Sequence, residues 1–337
     1  MSFKSFIKKR LPVSFIVKRQ RWKTLRLLIR EGEREFRRFS RAYAAPACSD
    51  QVQMESLLIF FVHQIEKGFS FDTYQYGRGR GALHNIADLS KRLSKVDSHW
   101  RDNPIRLDMV LALGEYRRRH VVANQDVSFM TDLFDEATNV DIITASKREY
   151  PSIQLLSASK IGNDAVSFSE LVERRHAIRS YSDEPVKRKE LEKVITMSLR
   201  TPSVCNRQPA RVRIFTDREL IGEALKVQGG FGGYDAPPAL LLVTADLRAF
   251  MGANEHNEGY VDGGLFAMSL LYSLEACGLA ACPLNTMFGR EADERTRKLL
   301  DIPDNEVFIM YISVGHFREV SKICRSQRFG LGRILMN

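Results

Sequence analysis

Apolar residues in the first half of this chain recur three and four apart, the spacing of one helix face. Leu57, Leu58, Phe61, Val62 and Ile65 set this pattern after residue 51, and Gly68 marks a stop. The same periodicity predicts helices over 83–93, 107–119 and 128–138. Residues 145–164, with Pro151, several serines and Gly162, read as a linker. At Ser167 the texture changes. Ser167 and Glu170 form a Ser-x-x-Glu capping box, opening a helix expected to carry Arg174, Arg175, His176 and Arg179. A second helix covers 189–200, and runs at 212–215, 239–244 and 280–285 read as short strands. A long apolar helix at 258–277 ends at Gly278, a C-cap signal, and an amphipathic one follows at 291–300. The run 307–314, closed by Gly315, is the strongest buried-strand signal in the chain.

Charge divides the chain differently. The net charge is +10, yet residues 1–41 hold 14 Lys and Arg against 3 Glu, or +11, and the remainder is −1. The basicity therefore belongs to an N-terminal arm, where Phe, Trp, Leu and Ile are interleaved with the cations and Pro12 separates two short helices. Such an arm fits peripheral contact with anionic lipid as well as a solvated face packed on the body. No nucleic-acid recognition motif accompanies it. No run approaches the roughly 18 apolar residues of a membrane span, and early lysines and arginines interrupt any signal-peptide core. The expected location is cytoplasmic, with possible attachment at the inner face of the membrane. Five cysteines, Cys48, Cys205, Cys277, Cys282 and Cys324, match no paired metal-ligand spacing and read as reduced thiols. No metal is expected.

Candidate chemistry concentrates in the second half. The loop Thr201-Pro202-Ser203-Val204-Cys205-Asn206-Arg207-Gln208-Pro209 is bounded by prolines that fix its backbone. Ser203, Asn206 and Gln208 offer untitratable hydrogen-bonding groups for a flat polar-edged ligand; taken alone, the loop reads first as a polar surface turn. Arg175 and Arg179, one helical turn apart, favour an anion such as a phosphate between them. The tail Cys324-Arg325-Ser326-Gln327-Arg328 is a second possible anion contact. The glycine loop 228–234 lacks the Gly-Lys-Ser/Thr ending of a phosphate cradle and carries Phe231 and Tyr234. Gly77-Arg78-Gly79-Arg80-Gly81-Ala82 matches a dinucleotide fingerprint only formally, because no buried strand precedes it, and reads as a turn into a helix. His63, Glu66 and Lys67 at a helix end read as a cap and a salt bridge.

Four segments in order carry a resemblance. Arg175-His176-Ala177-Ile178-Arg179-Ser180-Tyr181 resembles the arginine-rich element that opens the FMN-dependent nitroreductase family. Residues 201–209 resemble that family's A-P-S-x-x-N-x-Q-P-W element, the helix ending at Gly278 its central dimer helix, and Pro283-Leu284-Asn285 its flavin-facing turn. His63-Gln64-Ile65-Glu66-Lys67-Gly68-Phe69-Ser70 resembles an element of a subgroup associated with bacterial surface-polysaccharide genes.

The resemblance implies an α+β fold, a mixed sheet flanked by helices and preceded by a mostly helical region. The divisions are an arm (1–41), a helical region (42–150), a linker (151–165) and an FMN-binding domain (166–337). It implies FMN at a homodimer interface, with Arg175, Arg325 and Arg328 on the phosphate. His176, Ala177 and Arg179 would lie at the phosphate or ring edge, Ser203, Asn206 and Gln208 on ring and ribityl chain, and Pro283, Leu284 and Asn285 against the ring. Phe231 and Tyr234 would face a small-molecule acceptor, NAD(P)H would be the reductant, and no catalytic side chain beyond the flavin is implied. Ala177, Ala210 and Asn285 depart from the pattern's Ser, Trp and acidic residue. Two alternatives stay open: a flavin-dependent dehydrogenase or oxidase of a biosynthetic intermediate, and a non-catalytic dimeric scaffold.

Overall fold

The computed structural model describes residues 13–148 and 153–336. The short helix expected before Pro12 lies outside them. After it, α1 (Val13–Ala42) is one continuous helix, and residues 13–15 and 17–30 stand in solvent. Its Glu35 binds His256 Nε2 at 3.0 Å and Asn257 Nδ2 at 3.1 Å. Among the described residues no helix is long and apolar enough to cross a membrane.

The helical region follows from caps and periodicity. The Asp50 carboxylate accepts from Gln53 N–H and starts α2 (Gln51–Phe69), which buries Met54, Leu58, Val62, Ile65 and Phe69 along one face. Gly79, at φ 89°, leads into α3 (Arg80–Val96), so the formal dinucleotide fingerprint is the expected turn. Asn103 caps α4 (Pro104–Val122), with Pro104 at its first position. The helix expected over 128–138 is instead a short 3-10 turn (Ser128–Leu133) followed by α5 (Glu136–Ala145). Asp135 makes the break, because its side chain accepts from Thr138 N–H at 2.8 Å and so starts a new helix.

The stretch expected as a linker also differs. It contains β1 (Ile153–Leu156), paired antiparallel with β6 (Val320–Ile323). Leu155 and Ile323 are buried beside Ile178 and Ala280, which draws this short ribbon onto the body. Four residues give too little period to read as a strand.

The second half is built on four strands: β2 (Ala210–Phe215), β3 (Ala239–Asp246), β4 (Leu279–Asn285) and β5 (Glu306–His316), in the order β2-β3-β5-β4. The fold class is α+β, and every pairing in this sheet is antiparallel where a mixed sheet is expected. All of β3 is buried because both faces are covered. Leu241, Val243, Ile312 and Val314 meet α7 (Arg188–Ser198) and α9 (Glu258–Ala276). Leu240, Leu242 and Tyr311 meet α8 (Arg218–Gln228) and α10 (Arg290–Leu300).

Helix α6 (Phe168–Arg174) ends before the arginine element, contrary to the expected longer helix. Residues 175–182 are extended along the β4 edge, where Ile178 N–H donates to Ala281 O at 2.9 Å and Ser182 N–H to His316 O at 3.1 Å. Ile178 is buried, and that burial favours the extended path. Arg175 and Arg179 are therefore not one helical turn apart, and only Arg179 lines the cavity described below.

Candidate active site

The predicted site residues gather at opposite edges of the sheet. Beside β4 lie Arg175, His176, Ala177 and Arg179, and the tail after β6; Pro283–Asn285, expected as a turn, are the last paired residues of β4 itself. Beyond β2 lies the loop 201–209. Three strand spacings separate the two edges, about 14 Å at the usual inter-strand distance.

At the β4 edge a cationic corner forms. The half-buried His176 places Nδ1 2.8 Å from Arg174 O. Burial holds its pKa below the usual imidazole range, with the charges of Lys160, Arg175 and Arg328 adding to the effect. Lys160 is itself buried and committed: its Nζ donates to Arg174 O and to Glu275 Oε1, the latter at 2.6 Å. Asn163 completes that contact, donating to the same carboxylate at 2.9 Å. Ala177 packs with the core beneath β5.

Next to this corner is a cavity of about 730 Å³. Arg179, Pro283, Leu284 and Asn285 line one side. The helical region supplies the other, through His63, Lys67 and Arg78. No Asp or Glu is among its lining residues. Arg179 also donates to Cys324 Sγ at 3.5 Å. Lys67 Nζ donates to Gly230 O at 2.8 Å, and burial together with the Arg179 charge pushes its pKa down. At this helix end His63 Nδ1 lies 3.5 Å from Glu66, and Ser70 N–H caps the helix on Lys67 O. Sequence reasoning misses that Lys67 also faces a cavity, because its partner Gly230 is 163 positions away.

Three expected positions are corrected. Phe231 is only 4% exposed and packs in the core with Leu240 and Tyr311, so it cannot face an acceptor. Tyr234 turns to the helical region, its hydroxyl 2.7 Å from Ser70 Oγ and 3.2 Å from Lys67 O, and burial pushes it up to about 12. The backbone of Gly229, Gly230 and Gly232 lines the cavity instead. Arg325 faces the helical region, 3.8 Å from Asp108, where a phosphate contact is expected. Burial and the neighbouring Glu66 raise the Asp108 carboxyl to about 6 against the pull of Arg325.

The loop 201–209 is tightly wound. Cys205, Asn206 and Gln208 all have φ near +50°, a region side chains other than Asn seldom adopt. Gln208 N–H donates to Ser203 Oγ at 2.9 Å, and the Gln208 amide reaches Asn206 O at 3.2 Å. Buried Asp262, in the first turns of α9, accepts from Val204 N–H at 3.1 Å. Arg207 and Glu255 form a two-pronged ion pair at 2.8 and 3.0 Å. These contacts hold the strained loop and leave Cys205 exposed.

Residues 172–316 match the family model described as the nitroreductase family. The FMN reductase (NAD(P)H) of Bacillus subtilis is 26% identical over 155 residues, covering 42% of this chain and 61% of that protein. The chain thus spans under two thirds of this relative's length. A nitroreductase family protein of Clostridium difficile is 22% identical, with a TM-score of 0.43, covering 51% of this chain and 98% of that one. A Desulfovibrio desulfuricans protein crystallised with FMN is 20% identical, with a TM-score of 0.41, covering 50% and 95%.

Proposed function

From the match of residues 172–316 to the nitroreductase family model, we propose that this chain is an FMN-dependent oxidoreductase using NAD(P)H to reduce a small acceptor. The observation that carries this reading is the cavity lined by Arg179 and Pro283–Asn285 with no acidic lining residue; Arg179 is three residues along the chain from His176, on which the charges of Arg175 and Arg328 act. A phosphate suits the corner, where burial and then the charges of Lys160, Arg175 and Arg328 depress one imidazole and the nearby Glu275 is already held by Lys160 and Asn163. A flat ring suits the end of β4, where Pro283 and Leu284 line the cavity and are apolar. Bound FMN supplies hydride acceptance from NAD(P)H and its return to the acceptor. In that reading Arg175, His176 and Arg328 hold the phosphate end. Arg179 presents positive charge to a ring edge that becomes anionic on reduction. The helical region excludes water with the α2 end and its following turn, which is the role this reading gives residues 42–150.

The reading includes a homodimer. The loop 201–209 lies too far from the β4 edge to reach the same flavin within one chain, whereas a two-fold partner can bring its own loop across. Helix α9 offers a surface for this, because Val261 and Leu265 are exposed apolar residues flanking Gly264, where an added Cβ meets nothing within 4 Å. Such a continuous apolar strip on a helix fits a partner surface.

The absorbance spectrum of the purified protein is the direct test. A flavin spectrum that NAD(P)H bleaches anaerobically is expected, with Arg175→Ala and Arg328→Ala each lowering FMN retention. A colourless protein that takes up no added FMN overturns the reading. A flavin-containing monomer by light scattering overturns only the shared site.

A further inference from the structure

The proposed reaction gives helix α1 no role, yet its residues are arranged with two distinct faces. At about 100° per residue, Phe15, Trp22, Leu25, Leu28, Ile29 and Phe36 fall in one sector roughly 140° wide. Arg19, Lys23, Arg26, Arg30, Arg37 and Arg41 occupy a separate sector about 60° wide. Trp22 is 63% exposed and Phe36 76%, so the apolar face is not covered by the rest of the chain. Residues 13–30 contain six Lys and Arg and no carboxylate.

We propose that α1 lies flat in the interfacial region of an anionic lipid bilayer. The apolar sector enters the headgroup–acyl boundary and the basic sector meets lipid phosphates. Lys18 and Arg21 sit within the apolar sector, and their long stems reach past it to the headgroups. Those two cations also argue against a second copy of α1 as occupant, since pairing the apolar faces would bring like charges into the seam. A nucleic acid would engage the basic sector and leave Trp22, Ile29 and Phe36 in water. The bilayer is the occupant that satisfies both sectors together. The Glu35 contacts to His256 and Asn257 tie the helix to the body at the start of α9, close to the Arg207–Glu255 pair of the 201–209 loop. Membrane attachment would therefore fix the orientation of the enzyme's sheet relative to the surface.

The test uses the full chain with phosphatidylglycerol and phosphatidylcholine vesicles. Flotation is expected with the former and is weakened by high salt, which shortens the range of surface charge. Trp22 emission should move to shorter wavelength on binding, while the already buried Trp100 contributes no change. The variant Arg19→Gln/Arg26→Gln/Arg30→Gln should lower partitioning roughly a hundredfold, about a factor of five per cation. Trp22→Ser/Ile29→Ser should lose binding with helix content and flavin content unchanged. Absence of flotation on anionic vesicles, or equal binding by either variant, overturns the proposal. So does tighter binding to duplex DNA that displaces the vesicles. Loss of dimer in Trp22→Ser/Ile29→Ser, seen by light scattering, would assign α1 to a contact between copies and overturn it as well.

Discussion

Gly315→Ala is a small change with a large expected effect. An added Cβ at position 315 would lie 2.6 Å from Cβ, Cγ and Cδ1 of Tyr181, well inside contact distance. The ring has little room to retreat. Its hydroxyl donates to Ile178 O at 2.7 Å or Ser313 O at 3.1 Å and sits 2.7 Å from Ser313 Oγ. The backbone on either side is tied to β4 and β5. Overpacking of this kind costs about 1–3 kcal/mol, and each displaced hydrogen bond adds about 1 kcal/mol. A total of about 3–4 kcal/mol corresponds to a Tm lower by about 6–15 °C for a domain of this size. The same displacement would move Arg179, two residues before Tyr181, and FMN retention should fall with stability. Urea unfolding with a shared m-value, alongside thermal melts, measures the change. Gly222→Ala is the control, since its Cβ meets nothing within 4 Å on a helix; it should raise stability by up to about 1 kcal/mol. In a Tyr181→Gly background, Gly315→Ala should cost little, because the clash is with the Cβ and ring of that residue. A Gly315→Ala protein within about 1 kcal/mol of the parent would refute the reasoning.

Further expectations rest on other contacts. Gly263→Ala places a Cβ 2.5 Å from Ile309 Cγ1 and 2.6 Å from its Cδ1, so it should destabilise by about 1–3 kcal/mol and cost less in an Ile309→Ala background in a double-mutant cycle. Asp108 keeps its proton in the folded state up to about pH 6, where the unfolded chain has already lost it. Stability therefore falls as pH rises from about 4 to 6, by about 1–2 kcal/mol after allowance for partial solvent screening. Asp108→Asn should flatten that slope and raise the melting temperature at pH 7; a steeper slope in the variant would contradict it. Glu255→Gln should loosen the Arg207 anchor and speed labelling of the exposed Cys205 by a thiol reagent, with unchanged labelling counting against the loop account. FMN binding at the depressed His176 should take up protons, so affinity should weaken as pH rises, measured by calorimetry in buffers of different ionisation enthalpy.

What the sequence could determine by itself was local. The period of Leu58, Val62 and Ile65 specifies α2, the apolar run 307–314 specifies β5, and Gly278 ends α9, because each signal lies within a few residues of what it governs. The arginine element, the 201–209 loop and the Pro283–Asn285 segment were legible as chemistry for the same reason. Their geometry was not. Only the strand order put the loop and the arginines at opposite edges, and only burial of Ile178 on β4 drew residues 175–182 out of a helix. Phe231 reads identically in sequence whether it faces a ligand or fills a core, and packing under β3 decided it. Lys67 and Gly230, Arg325 and Asp108, and the β1–β6 ribbon join positions more than a hundred residues apart. Such contacts depend on how layers stack, a free energy summed over the whole core that no local run of side chains contains.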